Sequence, residues 1–131
     1  MNTRNTSLWG SGFFLVLTTM FAPALVAQEH RSHPAEDIPI HEKFYKDWFM
    51  PDRPTRSCCN NADCYPTIVE FHDGQWWAQR REDKVYIPIP AVKIEKNRDN
   101  PDGRSHMCAP PPNARGYLPN TVFCFILGTG T

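Results

Sequence analysis

Whatever covalent chemistry this chain can perform must come from five cysteines and one short polar run. Cys58 and Cys59 are adjacent, Cys64 follows Asp63, Cys108 closes the stretch Arg104-Ser-His106-Met-Cys108, and Cys124 stands beside Phe125. Three chemistries fit these residue types. In the first, a nucleophilic site, Arg104, His106 and Cys108 share one face of an extended strand, where an imidazole and a guanidinium would lower a thiol pKa. Same-face neighbours are about 6–7 Å apart, too far for a direct hydrogen bond, and a cysteine held in a disulfide cannot attack. In the second, Cys59-x₄-Cys64 and His106-x-Cys108 supply four donors to a metal, at spacings close to those of zinc sites. Met107 would point to the opposite strand face, which argues against a Cu(I) site there. In the third, Cys58, Cys59, Cys64, Cys108 and Cys124 form a disulfide framework with at most two intramolecular bridges and one cysteine left over. Adjacent Cys58 and Cys59 point apart in extended chain and should serve different partners, with at least one bridge from the Cys58–Cys64 loop to a C-terminal strand.

The N-terminus favours the disulfide reading, because it reads as an export address. Polar Met1–Ser7 carries one cation, Arg4, and precedes a 14-residue apolar run, Leu8–Phe21, too short for a comfortable bilayer span. Small residues follow at Ala22-Pro-Ala24 and Leu25-Val-Ala27, so residues 1–27 are expected to be a signal peptide cut after Ala27. The expected location is periplasmic or secreted, with no stable membrane span after cleavage, and oxidation there competes directly with metal binding. Cleavage removes only Arg4 from the 14 basic residues and leaves all 14 acidic ones, a mature charge of about −1. So balanced a chain offers no basic stripe to neutralise phosphates, which excludes nucleic acid as the expected partner.

The elements that must position the cysteines read as follows. Residues 28–39 are expected to be a flexible lead-in, and residues 40–131 a single cysteine-linked domain. Ile40, Phe44, Tyr45, Trp48 and Phe49 recur at the helical period between Pro39 and Pro51, predicting an amphipathic helix of three turns. The period then changes to two. Thr67–Phe71 and Gln75–Arg80 flank Asp73-Gly74, a pair suited to the positive φ values of a type I′ turn. That turn sets Phe71 against Trp76 and Val69 against Ala78 on one apolar face, with Glu70 and Trp77 on the other. A turn at Glu82-Asp83 would add Ile87 and Ile89 to the apolar face, and Pro88 and Pro90 confine that strand to an edge. Asn100-Pro-Asp-Gly103 is a turn, Arg104–Ala109 a short strand, and Val122–Leu127 a central strand apolar on both faces. The expected fold is mainly β with an α+β character: a small antiparallel sheet of about five strands, one N-terminal helix, and disulfide cross-links. Trp77 beside Tyr86 is either an exposed contact surface or covered by the helix. Asp63, Asp102, Arg104 and His106 form a candidate polar cluster, whose structural version ties the cysteine loop to the sheet by ion pairs, with His106 donating to a loop carbonyl.

This pattern resembles a broad class of short exported bacterial proteins. They share a vicinal cysteine pair, a following Asp-Cys, an Asp-x-Arg-x-His-x-Cys-like element and a cysteine with an aromatic in the last strand. The matching residues here are Cys58, Cys59, Asp63 and Cys64, then Asp102, Arg104, His106 and Cys108, then Cys124 and Phe125. The resemblance implies export and a cysteine-linked fold and assigns no chemistry. It departs where the class carries prolines after the last aromatic and this chain has Leu127-Gly128.

The functional expectation is non-covalent recognition of an envelope partner or small ligand, without catalysis and without a cofactor. The alternative is a metal-binding or thiol-redox protein using Cys58, Cys59, Cys64, His106 and Cys108.

Overall fold

The structure is a computed structural model that describes residues 34–59 and 63–130. The signal peptide expected over 1–27 lies outside the described residues. Among the described residues, eight short strands form three small antiparallel sheets. β1 (Phe49–Met50) pairs with β2 (Arg53–Ser57), β7 (Ser105–Cys108) lies between β3 (Cys64–Thr67) and β8 (Cys124–Ile126), and β5 (Gln75–Gln79) lies between β4 (Val69–His72) and β6 (Tyr86–Pro88).

The single five-stranded sheet is therefore corrected, and the reason is local. The chain leaves the β3 sheet for the β4 sheet at Ile68. The Thr67 hydroxyl donates to the Gln79 carbonyl at 2.8 Å, and the Gln79 amide donates to the Ile68 carbonyl at 2.9 Å, which fastens the crossing. Val122–Leu127 is also not the central strand. That place belongs to β7, while the free side of β8 is covered by Ile94 and Glu95, whose amide donates to the Phe125 carbonyl at 2.6 Å.

The hairpin has the expected register. His72 pairs with Gln75, Phe71 with Trp76, Glu70 with Trp77 and Val69 with Ala78, and Ile87 lies beside Ala78. Asp73 and Gly74 take φ values of 54° and 74°, as the turn type requires. The apolar face fades toward the turn, however. Phe71 is 59% exposed at the tip, where no second layer reaches it.

Strand alternation divides the core in two. Cys64, Cys108 and Cys124 lie in one row across β3, β7 and β8, on the face that packs with Ile40, Phe44, Tyr45 and Trp48. Tyr65, Met107 and Phe125 form the row on the opposite face and pack with Ala78, Ile87 and Val69 of the other sheet. The central sheet is thus covered by the helical segment on one side and by the hairpin sheet on the other.

The helical segment is shorter and earlier than the stripe predicted. A 3-10 turn at Ala35–Asp37 leads into α1 (Ile38–Lys43), inside the stretch read as lead-in, and a second 3-10 turn covers Tyr45–Asp47. Pro39 sits in the first turn of α1, where its missing amide costs nothing. The helix stops at Phe44 because Arg98 takes the freed carbonyls: its guanidinium lies over the Phe44 ring and bonds the carbonyls of Phe44 at 3.2 Å and Asp47 at 2.5 Å. Ile40, Phe44, Tyr45 and Trp48 are buried as one stripe, whereas Phe49 has passed into β1 and is exposed.

Cys58 bonds to Cys124 and Cys64 to Cys108. Both bridges join the Cys58–Cys64 loop region to C-terminal strands; of the vicinal pair, Cys58 is bridged to Cys124 and half-buried Cys59 stands outside both bridges.

Candidate functional site

The polar cluster assembles around the turn at Asn100–Gly103. The Asn100 side-chain oxygen accepts from the amides of Asp102 and Gly103 at 3.1 and 2.6 Å, and Gly103 has φ of +81°, so the turn presents the Asp102 carboxylate to the start of β7. Arg104 donates to that carboxylate through Nε at 2.8 Å and a terminal nitrogen at 2.6 Å, and its backbone amide adds a bond of 3.0 Å. The other oxygen meets His106 Nε2 at 2.8 Å, and His106 Nδ1 meets the Tyr45 hydroxyl at 2.7 Å. His106 therefore does not donate to a loop carbonyl: two residues beyond Arg104, it shares the Asp102 carboxylate with it and is closed off by the helical segment.

The protonation states follow from the partners. Burial opposes ionisation of Asp102, but the Arg104 side chain, the Arg104 amide and His106 outweigh it and hold the carboxyl at about 2. A charged carboxylate only accepts, so Nε2 carries the hydrogen, Nδ1 accepts, and Tyr45 donates. Burial lowers the His106 pKa despite the carboxylate beside it, and burial raises that of Tyr45, so both stay neutral. Both side chains are fully enclosed. The Asp102–His106–Tyr45 relay fastens the 3-10 turn at Tyr45–Asp47 to the central sheet, with His106 and Tyr45 enclosed and Asp102 partly exposed at its outer end.

A pH dependence follows. Between about pH 6.5 and the depressed folded value, the unfolded chain binds a proton at this histidine that the folded chain does not. Stability therefore falls as the pH drops through that window. Asp102 contributes fully above its unfolded value near 3.8, and that contribution is lost as pH falls from there toward 2. Urea midpoints should decline as the pH falls below about 7 and decline again below about pH 4; a midpoint that rises on acidification would contradict these assignments.

The remaining residues singled out from the sequence are dispersed. The Asp63 carbonyl accepts from the Ala109 amide at 2.8 Å and so helps to seat the cysteine loop. Trp77 is neither an exposed platform nor covered by the helix, which packs on the other sheet; it is half-buried and stacks on His72 at 4.8 Å. Tyr86 is half-buried, and burial together with the nearby Glu70 carboxylate raises its pKa. Cys64 and Cys108 are bonded to each other, and both His106 nitrogens are engaged, so the set Cys59, Cys64, His106 and Cys108 presents no open metal site in this oxidised form. Among the described residues no group of three or more His, Cys, Asp or Glu side chains is arranged to hold a metal ion.

Beside the buried relay lies an open groove of about 570 Å³, at the seam where the chain changes sheets. Thr67, the exposed Ile68 and Val69 line it at the seam, with Arg81 and Lys84, which follow β5, as one bank and Gly103, Arg104 and Ser105, at the start of β7, as the other. No acidic residue is among the described residues that line it. Asp37 reaches Arg81 at 2.7 Å from behind, as Asp102 does Arg104, which leaves both guanidinium groups fixed along the rim. Gly128 lies against the Gly103–Ser105 segment. Its amide donates to Ser105 Oγ at 2.8 Å, and a Cβ there would come within 2.6 Å of the Gly103 carbonyl oxygen, so Leu127-Gly128 provides a close approach that proline could not.

Lys84 is the residue that sequence reasoning missed. Its φ is +62°, a left-handed conformation that lysine adopts at a cost. The turn is over-determined by Arg80, which is buried and holds the Asp83 carboxylate at 3.0 and 2.6 Å and the Pro119 carbonyl at 2.6 Å. The Lys84 amide then donates to the Arg80 carbonyl at 3.0 Å. Among the described residues Lys84 forms no ion pair. No protein-family model matches the chain, and no curated protein or solved structure does either.

Proposed function

We propose that this is an exported, disulfide-stabilised recognition domain, periplasmic or secreted, that binds a carboxylate or phosphate oxyanion non-covalently in the groove between Arg81, Lys84 and Arg104. Lys84 carries the reading. A turn needing a positive φ is ordinarily given glycine or asparagine, and a lysine kept there at a stability cost fits a binding role. It brings an unpaired ammonium to a groove that already has a guanidinium on each bank. Two buried or half-buried carboxylates, Asp37 and Asp102, orient those guanidinium groups without entering the groove. Fixed donors lose little freedom on meeting an anion, which favours binding over a flexible surface cluster.

The test separates stability from binding. Lys84→Gly should raise stability by about 0.5–1 kcal/mol through relief of the backbone conformation. The same change should abolish the rise in melting temperature that pyrophosphate or citrate gives the unaltered protein. A response to pyrophosphate alone would identify phosphate as the preferred oxyanion, and a response to citrate alone a carboxylate. If neither anion raises the melting temperature, or if Lys84→Gly retains the full response, the proposal is wrong.

A further inference from the structure

A second groove, of about 410 Å³, is built from different parts of the chain and does not depend on the Lys84 reading. Met50, Val122 and Phe123 supply apolar lining, Tyr117 and Leu118 stand on one rim, and Arg53 and Arg56 on the other. Leu118 is 79% exposed and Tyr117 49%, far more than a domain of this size needs to leave uncovered. The Tyr117 ring meets Phe123 edge-on at 5.3 Å, which fixes the loop that carries Leu118. β2 is exposed along its whole length, and neither Arg53 nor Arg56 forms an ion pair among the described residues. Lys93 also lines the groove and is held by Asp52 at 2.7 and 2.8 Å; none of the described lining residues is acidic.

We infer that this surface docks an acidic peptide segment of a partner protein, with an apolar side chain of the peptide lodged between Leu118 and Phe123 and its carboxylates paired with Arg53 and Arg56. Charge complementarity selects the acidic partner, because two unpaired guanidinium groups flank an apolar slot with no carboxylate of its own. Concavity selects a peptide over a lipid surface. A bilayer would meet the Leu118 tip but could not reach Val122 and Phe123, which are buried. One inserted leucine offers less apolar surface than a single myristoyl chain, itself a marginal anchor.

The test uses the disulfide-intact mature chain and fluorescein-labelled peptides in which Asp and Glu flank a single Leu or Phe. Anisotropy should report binding that weakens as salt rises and is absent for the Asn/Gln version and for an acidic peptide with no apolar residue. Arg53→Gln combined with Arg56→Gln should weaken binding about tenfold, and so should Leu118→Ser, with melting temperatures unchanged because these side chains are exposed. Lys84→Gln should leave it unaltered, which keeps this result separate from the oxyanion groove. Failure of every acidic peptide to exceed its amide control would overturn the inference. So would binding indifferent to the Arg53, Arg56 and Leu118 substitutions, or association with anionic phospholipid vesicles in place of peptides.

Discussion

Reduction of both disulfides is expected to unfold the domain at room temperature. The inner bridge, Cys64–Cys108, closes a separation of 44 residues, worth about 4 kcal/mol in the chain-entropy description. The outer bridge, Cys58–Cys124, spans 66, but it encloses the inner one, so only the difference of 22 remains to be constrained, worth about 3 kcal/mol. Their sum of about 7 kcal/mol is comparable to the whole stability of a small domain. Substituting Cys58 and Cys124 together by Ala should therefore lower stability by about 3 kcal/mol and leave a weakened fold, whereas replacing all four bridged cysteines should leave none. Circular dichroism during urea titration decides this. A four-cysteine variant with a cooperative melt near that of the unaltered protein would show that the packed rows of the central sheet suffice on their own.

Trp48→Ala is expected to be the most damaging single apolar truncation, at about 3–5 kcal/mol. Trp48 is fully buried among Phe44, Tyr45 and the bridged cysteines, lies tilted against the Phe44 ring at 4.8 Å, and donates from Nε1 to Glu95 at 3.3 Å. Its removal opens a cavity in the core cluster that holds the bridged cysteines and takes one donor from the Glu95 carboxylate. Phe71→Ala, at the exposed hairpin tip, should cost less than about 1 kcal/mol although the ring lies 5.0 Å from Trp76. Equal losses at the two positions in denaturant melts would mean that the hairpin tip is covered after all.

The contrast between these two residues marks how far the sequence can be read. Asp73-Gly74 imposes its turn by local sterics, and that turn alone fixes the partners of Phe71, Glu70 and Val69. That Cys58 and Cys59 do not bond to each other is equally legible, since adjacent side chains point apart in extended chain. Depth of burial was not, because whether Phe71 is covered depends on where a second layer ends. The helix break at Phe44 depends on Arg98, 54 positions away, and the sheet crossing at Ile68 depends on Gln79. Arg104 lies just outside β7 and His106 within it, both reaching Asp102, whereas the partner Tyr45 is hidden in an apolar stripe where its hydroxyl gives no periodic signal. Lys84 gave no signal at all. Its conformation is forced by Arg80, which is itself fixed by the Pro119 carbonyl, 39 positions away.

The central claim is that an oxyanion sits between the two banks at Arg81–Lys84 and Gly103–Ser105. The most direct measurement is an amide chemical-shift titration of the disulfide-intact protein with pyrophosphate. The account predicts saturable shifts at Lys84, Gly103 and Ser105 together, since one anion must touch both banks, and their loss in Lys84→Gln. Shifts that never saturate, or that gather around Arg53 and Arg56 while Lys84, Gly103 and Ser105 stay still, would contradict it.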